Sequence, residues 1–143
     1  MSKEAQAYGL DHQVSFAVYG AASRMARLHK PYLEPLGLTF PQYLVMLELY
    51  SREPQTVGEL GAATSMDTGT ITPLLKKMQS LGFIARTRDP ADERRVLVTL
   101  SPLSESLREE VWKVPGKIDN VCQLSKAELA NLNITLRKFA NGQ

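Results

Sequence analysis

The strongest constraint on this sequence is a pair of helix starts set close together near its middle, at Thr56 and Asp67. Thr56 precedes Glu59 by three residues, which is the spacing of a capping box, and predicts a short helix. Asp67 is a favourable N-cap for a longer helix that Gly82 ends, and Ser65-Met66-Asp67 forms the turn between the two. The apolar residues of the longer helix recur at helical spacing and form one stripe: Ile71, Leu74, Leu75 and Met78. Two helices joined by so tight a turn are typical of a helix-turn-helix motif.

Two short β-prone segments, residues 83–87 and 96–100, follow this pair of helices. The polar, proline-containing segment 88–95 separates them. This pattern predicts a two-stranded hairpin.

On the N-terminal side, apolar residues at helical spacing predict an amphipathic helix of about five turns that bends or ends near Pro31. These residues are Leu10, Val14, Ala17, Val18, Ala21, Met25 and Leu28. A capping box formed by Thr39 and Gln42 then predicts a helix that runs to about Ser51.

On the C-terminal side, Ser101-Pro102 opens a helix that should stop before Pro115-Gly116. Its inward-facing residues are expected to be Leu103, Leu107 and Val111. Ser125 and Glu128 form a third capping box, at the start of a helix that reaches Phe139. The order of elements indicates a winged helix-turn-helix: a mainly α fold with a small β-hairpin wing.

The composition bounds the class of protein. A chain of 143 residues with 43% hydrophobic content fits one domain with an ordinary core. It has no run of the roughly 18 apolar residues that a membrane span needs, and its start, Met1 to Gln6, lacks the apolar segment of a secretory signal. We therefore expect a cytoplasmic protein with no membrane partner. The single cysteine, Cys122, cannot form an internal disulfide, which agrees with a reducing compartment.

The net charge of +2 is unevenly distributed along the chain. Between residues 64 and 95 six basic residues stand against four acidic ones, whereas the rest of the chain balances at eleven against eleven. The basic residues are Lys76, Lys77, Arg86, Arg88, Arg94 and Arg95, and the acidic ones are Asp67, Asp89, Asp92 and Glu93. The excess positive charge therefore lies in the central segment, where a polyanion can be bound.

The outer face of the helix after Asp67 suggests contacts with DNA. The residues that the apolar stripe leaves on this face are Gly69, Thr70, Thr72, Pro73, Lys76 and Lys77. Small hydroxyl residues near a helix N-terminus can approach base edges and phosphates closely, and lysines one or two turns later can reach the DNA backbone. Gly69 leaves room for a close approach. A solvated helix face with ordinary charges would show the same residues, so this face alone leaves both interpretations open.

The predicted hairpin tip offers a second DNA contact. An arginine beyond a turn can enter a narrow minor groove, where the negative potential is strongest, and a nearby carboxylate can hold its guanidinium in position. We assign this role to the pair Asp92 and Arg94. The alternative is a solvent-exposed turn whose surface ion pairs stabilise little.

These segments resemble the MarR family of regulators and, within it, the organic-hydroperoxide-responsive OhrR branch. The resemblance covers nearly the whole chain, and the residues that carry it are 37–46, 60–61, 67–78 and 89–97. It implies a single MarR-type chain over residues 1–143, with residues 39–100 as the DNA-binding lobe. It also implies that the flanking helices, within residues 8–36 and 101–141, intertwine to form a homodimer.

The resemblance further implies how double-stranded DNA is bound. The helix matching residues 67–81, with Thr68 in its first turn, enters the major groove, and the wing arginine matching Arg94 enters the minor groove. The dimer then occupies the two half-sites of a pseudo-palindromic operator and represses by occluding a promoter. A change in the spacing of the two recognition helices releases it.

One position departs from the pattern of the OhrR branch. Members of the branch carry a peroxide-reactive cysteine in the first helix, in a context like residues 13–19, and this chain has Ser15 there. A hydroxyl cannot undergo thiolate-to-sulfenate chemistry, so peroxide sensing at Ser15 is excluded and the chain should stay DNA-competent under oxidants. Of the tyrosines that support the family's cysteine, Tyr19 is retained, whereas the two other aligned positions hold His29 and Phe40.

Cys122 lies where two-cysteine members of the branch carry a second cysteine that forms an intersubunit disulfide with the sensor. One interpretation is a resolving cysteine whose partner is missing, because Ser15 is a deliberate replacement or because this homologue lost the cysteine. The other is a small hydrophobic residue at a helix junction. Both interpretations stay open at this point.

Other classes of protein find less support in the sequence. His12 and His29 are seventeen residues apart and have no partner in a recognisable nucleophile pattern, so we expect no enzyme. There is no His/Cys cluster with metal-ligand spacing, and no cofactor is expected. Within the DNA-binding class, the alternative is a repressor relieved by a small aromatic or phenolic ligand near Tyr19, His29 and Phe40. A helical interaction module without DNA binding would not need the basic residues of the helix and wing.

Overall fold

The computed structural model describes residue 3 and residues 8–142 of the chain. Most of the opening segment Met1 to Gln6, on which the expectation of no secretory signal was based, therefore lies outside the described residues. Within residues 8–142 the chain forms seven α-helices and one three-stranded antiparallel sheet. The prediction of a mainly α fold with a small β wing is confirmed.

The elements follow the predicted order. The helices are α1 (Val14–Leu33), α2 (Phe40–Ser51), α3 (Val57–Thr64), α4 (Thr68–Ser80), α5 (Pro102–Ser106), α6 (Arg108–Val121) and α7 (Lys126–Ala140). The strands are β1 (Gln55–Thr56), β2 (Ile84–Asp89) and β3 (Asp92–Leu100), in the sheet order β1-β3-β2. Two short 3-10 helices, Leu10–His12 and Glu34–Leu36, flank α1.

Side-chain caps start the two helices of the helix-turn-helix motif. The Thr56 hydroxyl accepts a hydrogen bond from the Glu59 amide at 3.1 Å, and the Asp67 carboxylate accepts one from the Thr70 amide at 2.8 Å. The reciprocal half of the capping box predicted at Thr56 is not formed, because the Glu59 carboxylate accepts from Arg52 at 3.0 Å instead. Both helix starts are therefore confirmed.

The turn between α3 and α4 depends on a close approach of the backbone. Ser65 adopts the left-handed conformation with φ 58°, and the Met66 amide donates to the Gly61 carbonyl at 2.8 Å. Gly61 is required here, because a Cβ at this position would lie 2.9 Å from the Met66 carbonyl oxygen.

The wing is longer than the two predicted β-prone segments. β2 extends to Asp89 and β3 begins at Asp92, so that Pro90 and Ala91 alone turn the chain. Sequence pattern missed residues 92–95 as strand because they are charged, mostly exposed and show no apolar alternation. The strand reaches the tip nonetheless, because Asp92 pairs with Asp89 after a register shift between this pair and the pair of Val96 with Arg88.

The sheet has a third strand that the sequence did not predict. In β1, Gln55 pairs with Val98 and Thr56 with Leu97. Two residues are too few to show a period of two. The Gln55 side chain is fully buried and donates to the Arg52 carbonyl at 2.7 Å, which ties the end of α2 to the sheet.

A single apolar core connects α1, the lobe and α6. Its fully buried side chains include Val45, Met46, Leu49, Leu60, Leu75, Met78, Val98 and Val111. They come from α2, α3, α4, β3 and α6, so the recognition helix and the wing strand are anchored in the same core.

The first helix ends near Pro31, as predicted, but begins later than the predicted apolar stripe. It begins at Val14, and Leu10 belongs to a separate 3-10 helix. It continues through Pro31 and ends at Leu33, two residues beyond the proline near which it was expected to bend or end. Leu33 is buried at 2% exposed, and this packing fixes the last turn although Pro31 supplies no amide hydrogen.

The helix predicted after Ser101 is broken into two. α5 is a single short helix, and Leu103, predicted to face inward, is 47% exposed. Ser104 is the buried residue instead, and its hydroxyl donates to the Phe83 carbonyl at 2.5 Å. This bond joins α5 to the segment between α4 and β2.

α6 continues through Pro115 to Val121, so the prediction of a stop before Pro115 was wrong. The residues buried on either side of the proline are Val111, Val114 and Ile118. They form one stripe at helical spacing, and burying it outweighs the one hydrogen bond that the proline removes.

α7 begins with the predicted capping box, in which Ser125 and Glu128 exchange hydrogen bonds at 3.1 and 3.3 Å. None of the residues of α7 is buried. Its large exposed apolar side chains are Leu132, Ile134, Leu136 and Phe139.

No described helix is long and apolar enough to cross a membrane. The division of the chain into a lobe over residues 39–100 and flanking dimerisation helices stays a prediction.

Candidate nucleic-acid interface

The outer face of α4 forms the first part of the candidate interface. Seven residues of this helix were predicted to contact DNA. Thr72 is half-buried, and the other six are exposed. The exposed residues are Thr68, Gly69, Thr70, Pro73, Lys76 and Lys77. They lie away from the stripe of Ile71, Leu75 and Met78, whose exposure is 2% or less. The 13 residues of α4 give a rod of about 20 Å, a length that a DNA major groove accommodates.

The wing tip forms the second part of the interface. The Arg94 side chain is 91% exposed. One Asp92 carboxylate oxygen accepts from the Arg94 amide at 3.1 Å and from its Nε at 3.2 Å. The predicted pair is therefore formed, and the carboxylate orients the guanidinium while its outer end faces solvent.

Local hydrogen bonds stiffen the tip that carries this arginine. The Asp89 carboxylate accepts from the Ala91 amide at 2.9 Å and closes the turn. The Arg88 guanidinium donates to the Glu93 carbonyl at 2.7 Å, from β2 across to β3.

One cleft lies between α4, the predicted recognition helix, and the wing. Thr72 of α4 and Arg94 of β3 both line this cleft, which has a volume of about 400 Å³. Its other lining residues are Thr56, Val57, Gly58, Leu75, Arg86, Arg95 and Val96. Thr72 of the helix and the wing arginine are thus presented to the same cleft.

Arg86 and Arg95 were not among the residues predicted for the site. Arg86 donates through Nε to the Gln79 side chain at 2.6 Å, which links β2 to the end of α4. Arg95 pairs with Glu59 at 3.5 Å and with Asp89 at 3.7 Å. Arg86 lies inside the predicted segment 83–87, so strand alternation could have indicated it, whereas Arg95 lies outside the two predicted segments.

The predicted redox positions lie in different surroundings. Ser15 is the second residue of α1 and is exposed. Cys122 is buried at the end of α6, where its Sγ donates to the Asp119 carbonyl at 3.5 Å. This burial fits the interpretation of Cys122 as a small hydrophobic residue, and its role as a resolving cysteine stays a prediction.

The three predicted pocket residues do not all meet within one chain. The His29 and Phe40 rings are 4.7 Å apart, and Tyr43 lies 5.5 Å from His29, centroid to centroid. His29 Nδ1 lies 2.7 Å from the Met25 carbonyl, and it carries the proton because a carbonyl only accepts. Tyr19 is 75% exposed, and ten residues of helix, about 15 Å, separate it from His29. Within the single chain Tyr19 therefore does not join His29 and Phe40, and a pocket near all three, between the dimer helices and the lobe, stays a prediction.

The aromatic cluster is flanked by a small hollow. Burial and, to a smaller extent, the Asp119 carboxylate raise the pKa of Tyr43 to about 12, so the phenol is neutral near pH 7. Phe40 belongs to the cluster and also lines a cavity of about 250 Å³. The other residues that line this cavity are Ala26, Lys30, Leu33, Glu34, Leu38 and Thr39.

These features define a winged helix-turn-helix regulator. They are two capped helices around a tight turn, an exposed face of hydroxyls and lysines, and a wing that ends in an exposed arginine. A family model described as Transcriptional regulator SarA/Rot matches residues 27–111. The organic hydroperoxide resistance transcriptional regulator of Bacillus subtilis (strain 168) is 37% identical over 127 residues, which cover 89% of this chain and 86% of that protein.

Solved structures agree with this result. Reduced AbfR bound to DNA, a protein of Staphylococcus epidermidis, has a TM-score of 0.79 and 26% identity and covers 99% of this chain and 98% of that one. A variant of Escherichia coli MarR in complex with operator DNA has a TM-score of 0.77 and 27% identity, covering 88% and 92%. The chain belongs to the MarR family of winged-helix transcriptional regulators. The resemblance seen in the sequence is confirmed.

Proposed function

We propose that this chain acts as a homodimeric repressor that binds a pseudo-palindromic operator in double-stranded DNA. The observation that carries the proposal is the cleft that Thr72 and Arg94 line together. In the complex α4 enters the major groove, where its threonines face base edges and Lys76 and Lys77 reach phosphates. Arg94, aligned by Asp92, enters the adjacent minor groove.

Exposed apolar side chains at the two ends of the chain support a dimer. In the single chain Val14, Tyr19, Ile134 and Phe139 are between 67% and 75% exposed. Leaving such surface in water costs roughly 25 cal/mol per Å², so a second copy that covers it is favoured. The dimer then presents two α4 helices to half-sites about one helical turn apart.

Ser15 sets the response of this repressor to oxidants. A serine hydroxyl does not form a sulfenate, so organic hydroperoxide leaves DNA binding through this position unchanged. The Bacillus subtilis relative is named for organic hydroperoxide resistance, which supports hydroperoxide as the signal to which a cysteine at position 15 would respond. In this chain the repressor remains in its DNA-competent state.

A second candidate is relief of repression by a small aromatic or phenolic ligand. The hollow beside Phe40, with His29 and Tyr43 stacked next to it, favours this alternative. A ligand that acts there weakens binding of the wild-type protein to its operator without any oxidant. Substitution Phe40→Ala should abolish that response and leave DNA binding by the unliganded protein intact.

The DNA-binding proposal is tested with a duplex that the wild-type protein selects from a randomised pool. The triple variant Lys76→Ala, Lys77→Ala and Arg94→Ala should bind this duplex at least about 100-fold more weakly at moderate salt, with a shallower salt dependence. A matched variant that loses three positive charges elsewhere, Arg24→Ala, Lys113→Ala and Lys117→Ala, should bind nearly as wild type. Failure to select any duplex, or equal binding by the two variants, would contradict the proposal.

The redox proposal is tested by restoring a thiol. Ser15→Cys should lose affinity for the selected duplex on treatment with an organic hydroperoxide, whereas the untreated variant and the treated wild-type protein should bind normally. The double variant Ser15→Cys, Cys122→Ser separates sulfenate formation from a disulfide with Cys122. Unchanged binding by treated Ser15→Cys contradicts hydroperoxide as the signal.

A further inference from the structure

Arg94 lies beyond the part of the wing that the rest of the lobe supports. The short strand β1 pairs with β3 only at Val98 and Leu97. Nearer the tip, Val96 lies opposite Arg88 of β2 and Asp92 lies opposite Asp89, and the register shifts between these two pairs, over the stretch of β3 that contains Arg94. β2 is itself an edge strand of the sheet. A two-stranded ribbon of this kind bends and twists readily. The position of Arg94 relative to α4 needs a further support.

Ion pairs of the neighbouring residue, Arg95, provide a connection from the wing to the helix-turn-helix. Arg95 Nη2 lies 3.5 Å from one carboxylate oxygen of Glu59 in α3, and Arg95 Nη1 lies 3.7 Å from Asp89 in β2. The other Glu59 oxygen lies 3.0 Å from Arg52 Nη2, at the end of α2. One carboxylate therefore joins the wing to the frame of the lobe.

The Glu59 carboxylate is held in place from both sides. The backbone amide of Glu59 donates to the Thr56 hydroxyl at 3.1 Å, in the first turn of α3. Arg52 also donates to the side-chain oxygen of Gln55 at 3.3 Å, and Gln55 is fully buried. Glu59 is thus fixed at its own backbone and, through Arg52, to a buried residue.

We infer that Glu59 is a positioning residue for DNA binding, which holds the wing through Arg95 so that Arg94 reaches the minor groove while α4 occupies the major groove. The inference rests on the proposed function. The Glu59 and Arg95 side chains are 36% and 51% exposed, and ion pairs of such exposure add little to the stability of a fold. Their effect is on the geometry of the wing.

The sign of the effect distinguishes this role from that of an ordinary surface charge. Glu59 is paired with Arg95, which lines the cleft. If Glu59 acted only as a negative charge near the phosphates, its removal would strengthen DNA binding. A positioning residue gives the opposite result for a specific duplex, because a displaced Arg94 loses its groove contact.

The experiment is a double-mutant cycle measured by fluorescence anisotropy on the wild-type-selected duplex and on an unrelated duplex. Arg94→Ala should weaken binding to the selected duplex about 10-fold, and Glu59→Gln about 5-fold. In the Glu59→Gln background, Arg94→Ala should cost only about 2-fold, since the two residues act as one unit. Binding to the unrelated duplex should become slightly tighter in Glu59→Gln.

Glu93→Gln is the matched control, because it removes one negative charge from the wing outside this network. It should bind both duplexes as tightly as wild type or slightly more tightly. Arg95→Gln should reproduce the loss seen for Glu59→Gln, and the two changes together should cost no more than the larger single one. The urea midpoint of each variant should match that of wild type, which separates positioning from unfolding.

Two results would overturn the inference, and they are distinguishable. If Glu59→Gln tightens binding to both duplexes and Arg94→Ala keeps its full cost in that background, Glu59 does not position the wing. If Arg94→Ala has no effect in the wild-type background, the proposed minor-groove contact itself is wrong.

Discussion

α4 and α7 are helices of similar length and similar capping in opposite surroundings. They are 13 and 15 residues long, and both begin at a polar cap, Asp67 or Ser125. α4 buries its apolar stripe within the chain, and Leu75 is fully buried, whereas Ile134 of α7 is 67% exposed. The same combination of cap and apolar residues thus gives one helix fixed by its own chain and one whose apolar face needs a second copy.

The largest effect that tests this comparison is expected from Leu75→Ala. Leu75 is fully buried within its own chain, so truncating it should lower the free energy of unfolding by about 2–5 kcal/mol. The loss should not depend on protein concentration in urea unfolding followed by circular dichroism. The neighbouring exposed change Lys76→Ala should alter the free energy of unfolding by less than about 0.5 kcal/mol.

A smaller effect of a different kind is expected from Ile134→Ala. If a second copy covers α7, the change should weaken dimerisation by roughly 1–2 kcal/mol per side chain, seen as a higher dissociation constant in sedimentation velocity. Its melting temperature should fall more at low protein concentration than at high. Leu81→Ala, which removes an equally large exposed side chain at the end of the recognition helix, is the control and should leave dimerisation unchanged. Equal behaviour of the two variants would contradict the dimer interface.

The smallest effects compare the two caps. Asp67→Ala and Ser125→Ala each remove one hydrogen bond to the first turn of a helix and should each cost about 1 kcal/mol in the free energy of unfolding. Only Asp67→Ala should also weaken binding to the selected duplex, because it loosens the start of the recognition helix. A similar loss of DNA affinity in Ser125→Ala would show that the two helices are not separate in function.

Local signals explain how much of the fold could be predicted from the sequence. The capping residues at Thr39, Asp67 and Ser125 act within one turn of chain, so their side chains and amides meet wherever the helix is placed. The pair Asp92 and Arg94 is likewise local, two residues apart on one strand. These features were predicted correctly for that reason.

The predictions failed where contacts between distant residues decide the structure. The helix through Pro115 is held by a buried stripe with residues on both sides of it. The helical spacing of this stripe is visible in the sequence, but only its burial against other helices decides that it outweighs the stop signal of Pro115-Gly116. The two-residue strand β1 exists because β3 lies beside it. The ion pair between Arg95 and Glu59 joins residues 36 positions apart, and neither residue type nor spacing indicates it.

The close backbone approach at Gly61 has a consequence for how such a protein can acquire a new target. Any other residue there would bring a Cβ to 2.9 Å from the Met66 carbonyl and push the two helices apart. The exposed side chains of α4, such as Thr70, meet no such limit. In a mutagenesis library screened for altered sequence preference, surviving substitutions should therefore accumulate at Thr70 and its exposed neighbours while Gly61 stays invariant.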